Sequence, residues 1–154
     1  MIYWFTGQPG AGKTTLALAL RARLRSLGIP VVHFDGEELR KITGNVDLSS
    51  EGRVRNVRLA QALCLKLQEE GVVAIASFVS PNREVRELLK VHPGVLEVYV
   101  HTSAIRGKEG YFVRDYEPPA VDFLDLDTTG VAVESCVDRI VRTGTAKAEA
   151  AFQR

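Results

Sequence analysis

The chain has no apolar run approaching the roughly eighteen residues that a membrane-spanning helix needs, so the sequence predicts no membrane partner. It has almost no net charge. Twenty lysines and arginines against nineteen acids leave +1, so no basic field advertises nucleic acid, and a small acceptor molecule is the expected partner. Cysteine is scarce: Cys64 and Cys136 sit in apolar helical patterns without metal-type spacing. That favours buried free thiols over a disulfide or zinc site and predicts a reducing, cytoplasmic compartment. Met1 leading straight into a strand-like run, rather than a cleavable leader, gives the same expectation. Internal repeats and low-complexity linkers are missing, and so is the NKxD-type segment that specifies guanine, which leaves ATP as the expected phosphate donor. At 154 residues, 45% apolar and 25% charged, residues 1–154 suit one compact domain.

What is present begins at once. Residues Gly7, Gln8, Pro9, Gly10, Ala11, Gly12, Lys13, Thr14 and Thr15 read GQPGAGKTT, in which Gly7, Gly12, Lys13 and Thr14 fill the phosphate-binding loop pattern in order. The apolar run Ile2 to Phe5 before it is of strand type, and Leu16 to Leu27 after it is rich in helix formers. A strand, a glycine loop and a helix N-terminus together aim backbone N–H groups and a positive dipole end at phosphate. Glycines let the backbone curl around phosphate oxygens, Lys13 reaches the terminal phosphates and Thr14 offers a hydroxyl to magnesium.

The remaining chain alternates strand and helix signals and predicts a parallel α/β/α sandwich. Strands are expected over Val31–Phe34, Val72–Ala76, Val95–Val100 and Val121–Leu126, and helices over Glu37–Lys41, from Ser49 or Ser50 to Glu70, over Pro81–Lys90 and over Val131–Arg142. The alanine-rich stretch from Thr143 to Arg154 has helix propensity but no clear apolar stripe, so it is expected to fray or to pack against a partner. Pro81 at a helix start makes Ser80 the expected cap. Ligands of an open parallel sheet gather beyond the carboxyl ends of its strands, so the loop should meet Asp35 and Glu37 from strand two. One acid beside a triphosphate can hold magnesium and the other can orient or deprotonate an acceptor hydroxyl, while Asp35 can equally cap the helix that follows.

The blocks GQPGAGKTT, FDGEELR (34–40), SSEGRVRNVR (49–58) and ASFVSPNREVR (76–86), with LEVYVHT (96–102) and YEPP (116–119), resemble the adenylylsulfate (APS) kinases over nearly the whole chain. That resemblance implies a five-stranded parallel sheet, MgATP as donor, transfer of its terminal phosphate to the 3′-hydroxyl of adenylylsulfate, and a homodimer. It implies that Lys13, Asp35 and Glu37 are catalytic, with Thr14 and Asp35 toward magnesium and Arg106 toward the nucleotide. It also assigns Asp35, Arg40, Arg53, Asn56, Val79 and Ser80 to the acceptor, and Ser80 falls where some members carry a phosphorylatable serine. Arg53 and Asn56, three apart on one helix, share a face that suits an anionic group. Two departures stand out: Gly52 and Leu48 replace the family's aspartate and phenylalanine, and the lid after Arg106 is short, with Lys108 in place of the usual lysine though out of register and either Tyr111 or Phe112 in place of a lost ring. The loss of aromatic platforms, each contributing about 1 to 3 kcal/mol to base stacking, opens the alternatives of a different hydroxyl-bearing acceptor or a catalytically idle nucleotide binder.

Overall fold

In the computed structural model, which describes residues 1–153, four of the five strands lead to an α-helix, and the fourth runs on to the last strand through loops and one short 3-10 turn. The chain runs β1 (Ile2–Thr6), α1 (Lys13–Ser26), β2 (Val31–Asp35), α2 (Gly36–Thr43), α3 (Ser50–Glu69), β3 (Val73–Ser77), α4 (Arg83–Lys90), β4 (Val95–His101), β5 (Phe123–Asp127) and α5 (Val133–Phe152). The strands form one all-parallel sheet in the order β2-β3-β1-β4-β5. Central β1 is apolar on both faces because helices cover both. Its alternation splits the core: Tyr3 and Phe5 pack with Leu16 and Leu20 of α1 and Ile140 of α5, whereas Ile2 and Trp4 pack with Val57 and Cys64 of α3 and Leu89 of α4. Trp4 stacks on Phe78 with ring centroids 5.3 Å apart. Both cysteines are free and buried, and burial pushes the Cys64 thiol up to about 12.

The strand order places the functional ends together. The chain leaves β1 into the glycine loop, and β3 lies between β1 and β2, so the carboxyl end of β2 faces that loop across one strand width. A buried ion network braces the opposite side. Glu97 on β4 accepts from Arg86 Nε at 2.6 Å and meets Lys90 Nζ at 2.6 Å, and the other guanidinium nitrogens of Arg86 donate to the carbonyls of Ser80 and Glu117. One side chain thus ties α4, β4, the loop after β3 and the segment before β5.

Four expectations need correction. Helix α4 starts at Arg83, two residues later than Pro81, and its cap is Asn82, whose Oδ1 accepts from Val85 N at 3.1 Å. Ser80 is no cap: it adopts a left-handed φ of 45°, which lets its carbonyl turn back to Arg86. The alanine-rich stretch does not fray. Helix α5 continues to Phe152, and of the expected tail only Arg154 lies outside the described residues. Among the described residues beyond Arg142 the helix is not anchored by an apolar stripe. Gly144 packs so closely on Tyr3 that a Cβ there would lie 2.3 Å from the Tyr3 hydroxyl, and Lys147 pairs with Asp122 at 2.6 Å. Asp122, with φ of 50°, also delays β5 to Phe123. Among the described residues, no helix is long and apolar enough to cross a membrane.

Candidate active site

The loop between β1 and α1 is built for an anion. Gly10 and Gly12 take φ of 81° and 107°, conformations that β-carbons disfavour, and a Cβ on Gly7 would lie 2.1 Å from the Val100 carbonyl. Helix α1 opens at Lys13 with no side-chain cap and no acid in its first turn, so its leading N–H groups remain for a ligand. Lys13 is buried, and its ammonium donates to the Gln8 carbonyl at 2.8 Å. Burial pushes its pKa down from 10.5 to about 8, only partly offset by the nearby Asp35 carboxylate. Keeping that ammonium charged therefore costs about 3 kcal/mol near neutral pH, and a bound polyphosphate would remove the cost.

Asp35 is held from four sides. Its Oδ1 accepts from the backbone N–H groups of Glu37 (3.0 Å) and Glu38 (3.4 Å), capping α2, and its Oδ2 accepts from Thr14 Oγ1 (3.0 Å) and Ser77 Oγ (3.1 Å). The cap and the active-site acid are one residue. With the Thr14 proton given to Asp35, the hydroxyl's lone pairs are left for a cation, and an all-oxygen donor set of this kind suits magnesium. Ser77 in turn receives His33 Nε2 at 2.7 Å, and burial pushes the His33 pKa below its ordinary range. Glu37 stands exposed at the cleft edge.

The cleft holds about 980 Å³ and brings together Lys13, Thr14, Asp35 and Glu37 with Arg40, Arg53, Asn56, Val79 and Ser80, the residues expected to meet an acceptor. Arg40 donates to the carbonyls of Asn45 (3.3 Å) and Asp47 (2.7 Å), and Arg53 donates through Nε to the Leu48 carbonyl at 3.0 Å, leaving its other guanidinium nitrogens for a ligand. Burial lowers the Arg40 pKa, with the neighbouring Arg53 charge adding to the effect. Asn56 is buried, donates to the Gly36 carbonyl at 3.2 Å and keeps an unpartnered Oδ1. A second recess of about 450 Å³ adjoins the cleft and shares Arg53 and Pro81 with it.

Arg106 does not line the cleft. Its guanidinium donates to the carbonyls of Gly10 (3.2 Å), Ala11 (3.0 Å) and Thr128 (3.1 Å), bracing the loop from behind. Lys108 and Tyr111 reach the cleft instead, with the Lys108 stem packed against Gly10. Gln8 clasps Val113 in both directions, through Nε2 to its carbonyl and Oε1 from its N–H, each at 2.9 Å, so the short lid is strapped onto the glycine loop. This clasp and the His33 contact had no motif to announce them. The only available signal for His33 was its alternation with Asp35 on one face of β2.

Fold and site define a phosphate-loop kinase, in which a glycine loop, its lysine and a strand-end acid share a cleft with two arginines. The family model for adenylylsulphate kinase matches residues 1–110. The adenylyl-sulfate kinase of Chloroflexus aurantiacus is 34% identical, with 92% of this chain and 87% of that protein covered. The probable adenylyl-sulfate kinase of Pyrococcus abyssi is 40% identical, with 90% and 91% covered. The chain belongs to the adenylylsulphate kinase family. Among solved structures, the Mycobacterium tuberculosis APS kinase in complex with AMPPNP and APS has the same fold, with a TM-score of 0.81 at 23% identity over 92% of this chain and 95% of that one. The hexameric APS kinase of Thiobacillus denitrificans, 28% identical, gives a TM-score of 0.78 over 96% of this chain and 29% of that chain.

Proposed function

We propose that the protein transfers the terminal phosphate of ATP to the 3′-hydroxyl of adenylylsulfate. The observation that carries the reading is the cleft itself, which gathers Lys13, Thr14 and Asp35 with Arg40, Arg53 and Asn56. Backbone N–H groups of the Gly7–Thr15 loop and Lys13 hold the β- and γ-phosphates, where the ammonium offsets the charge that builds up on the transferring group. Arg53 and Arg40 grip the acceptor's phosphosulfate, Asn56 adds hydrogen bonds, and Val79 and Ser80 form the wall against which the acceptor packs.

Thr14 would hold magnesium, with Asp35 acting on the ion through Thr14 and its water shell, and the ion when bound would neutralise charge on the donor phosphates. With all four donors engaged, Asp35 serves better as an organiser of that side than as a base, and exposed Glu37 is the acid free to meet the acceptor hydroxyl. The short lid, strapped down by Gln8, closes over the donor with Lys108 and Tyr111 in place of longer segments. The same reading extends to a homodimer in the cytoplasm, where the two buried thiols stay reduced.

One specific observation favours a second reading, a different hydroxyl-bearing nucleotide acceptor: Leu48, 66% exposed, stands where an aromatic platform would stack a base. Incubation of the purified protein with MgATP and adenylylsulfate, following ADP release and product mass, tests the first reading. A product heavier by one phosphate supports it. ADP release that only another sulfated or phosphorylated nucleotide stimulates selects the second reading, and no stimulated release with any acceptor overturns both.

A further inference from the structure

The hydrogen-bond chain behind Asp35 begins at His33. Residues 33 and 35 alternate with Phe34 along β2, so both side chains emerge on the face that carries α1 and the glycine loop. On the neighbouring strand Ser77 is the register partner of Asp35 and is buried. Its hydroxyl has a single proton, and that proton goes to Asp35 Oδ2, a carboxylate oxygen that can only accept. The 2.7 Å contact with His33 therefore runs from His33 Nε2–H to Ser77 Oγ. The order of donation is fixed along the chain: His33 to Ser77, Ser77 to Asp35, and Thr14 to the same Asp35 oxygen.

We propose that His33 is a positioning residue which, through Ser77, fixes the Asp35 carboxylate against Thr14 and so shapes the magnesium side of the cleft. A serine hydroxyl alone is a free rotor. The imidazole N–H fills one of its lone pairs and leaves the proton directed at Asp35, so Oδ2 receives two donors and cannot turn away from Thr14. The Thr14 hydroxyl is thereby committed as a donor to Asp35, and its lone pairs face the cleft. Partners one shell removed from a metal ligand typically set metal affinity by a factor of about 10 to 100, and a group acting through one more hydroxyl belongs at the lower end of that range. The inference rests on the reading of Thr14 and Asp35 as the magnesium side. His33 lines the cleft beside Asp35, and its reach to the magnesium side runs through Ser77.

The test uses the full chain, a non-hydrolysable ATP analogue and graded Mg²⁺, with binding followed by calorimetry and folding by thermal denaturation. His33→Leu and Ser77→Ala should each raise the magnesium concentration that half-saturates analogue binding by about tenfold, while metal-free analogue affinity stays at the wild-type level. The double variant should be no worse than either single one, because both interrupt one chain. His33→Gln, whose amide can donate to Ser77, should recover most of the loss. Four results would overturn the proposal: wild-type magnesium dependence in His33→Leu, equal weakening with and without magnesium, additive losses in the double variant, or no recovery by His33→Gln. Analogue binding by the wild type that ignores magnesium altogether would sink the prior reading of Thr14 and Asp35 instead, and the proposal with it.

Discussion

Binding a polyphosphate should drive Lys13 to take up a proton, because the free protein holds that ammonium in a buried site where its pKa is about 8. The sign follows from burial. Desolvation favours the neutral amine, whereas phosphate oxygens beside it favour the ammonium, so the bound state restores the ordinary value near 10.4. At pH 7 about nine-tenths of free Lys13 is already protonated, and the uptake on binding is only about 0.1 proton. At pH 9 about one-tenth is protonated in the free protein and nearly all in the complex, giving an uptake of about 0.9 proton. Nucleotide affinity should correspondingly fall about tenfold between pH 7 and pH 9, and about tenfold more per pH unit beyond that until the bound-state value is approached. The phosphates do not confuse the reading, since a phosphate ester with a second pKa of about 6 is fully ionised over most of this range. The assay is calorimetric titration of a non-hydrolysable ATP analogue in pairs of buffers with different ionisation enthalpies, at pH 7, 8 and 9, for the wild type and Lys13→Met. An uptake that grows with pH in the wild type and vanishes in Lys13→Met supports the argument. A flat uptake, or the same uptake in the variant, would refute it.

Three further outcomes are expected. Arg53→Ala should raise the KM for the acceptor by about ten- to a hundredfold while analogue affinity persists, because its free guanidinium nitrogens face the acceptor side; steady-state kinetics with calorimetry separates the two effects. Arg86→Met should destabilise the fold by about 3 to 5 kcal/mol in denaturant unfolding, since it strands the fully buried Glu97 without its main partner and frees two loop carbonyls. Gly52→Asp, which restores the residue usual in the family, should lower the melting temperature: a Cβ at position 52 would lie 2.3 Å from the Asp47 carbonyl oxygen, and the Asp47 carboxyl already fills that space to pair with Arg55.

The fold was readable because its signals are local and redundant. Glycines at 7, 10 and 12 permit a backbone that few other residues allow, and the apolar runs at the start of β1 and β3 have the unbroken character of strands buried on both faces. The boundaries that slipped did so where a tertiary contact outvoted a local rule. Pro81 looked like a helix start, yet the chain must first turn through Ser80 to hand its carbonyl to Arg86, and Asn82 then provides the cap. The extension of α5 was hidden because Gly144, not a hydrophobe, makes the close contact with Tyr3.

Asp35 and Glu37 could be named from sequence because they follow a strand end, and Arg40 and Arg53 through the resemblance to adenylylsulfate kinases; Arg21 and Glu38, which also line the cleft, were not named. The partners that orient the named residues could not be. Gln8 and Val113 are separated by 105 residues, and His33 and Ser77 by 44, so only the folded register brings them together. Arg106 shows the converse: a matching position in sequence whose side chain turns to the back of the loop rather than into the cleft.

The most direct test of the central claim is a crystal structure of this chain with a non-hydrolysable ATP analogue and Mg²⁺. The account predicts the β- and γ-phosphates inside the Gly7–Thr15 loop against Lys13, with a cation on the side where Thr14 meets Asp35. Phosphates bound elsewhere, or a cation remote from Thr14 and Asp35 with the loop filled, would contradict it.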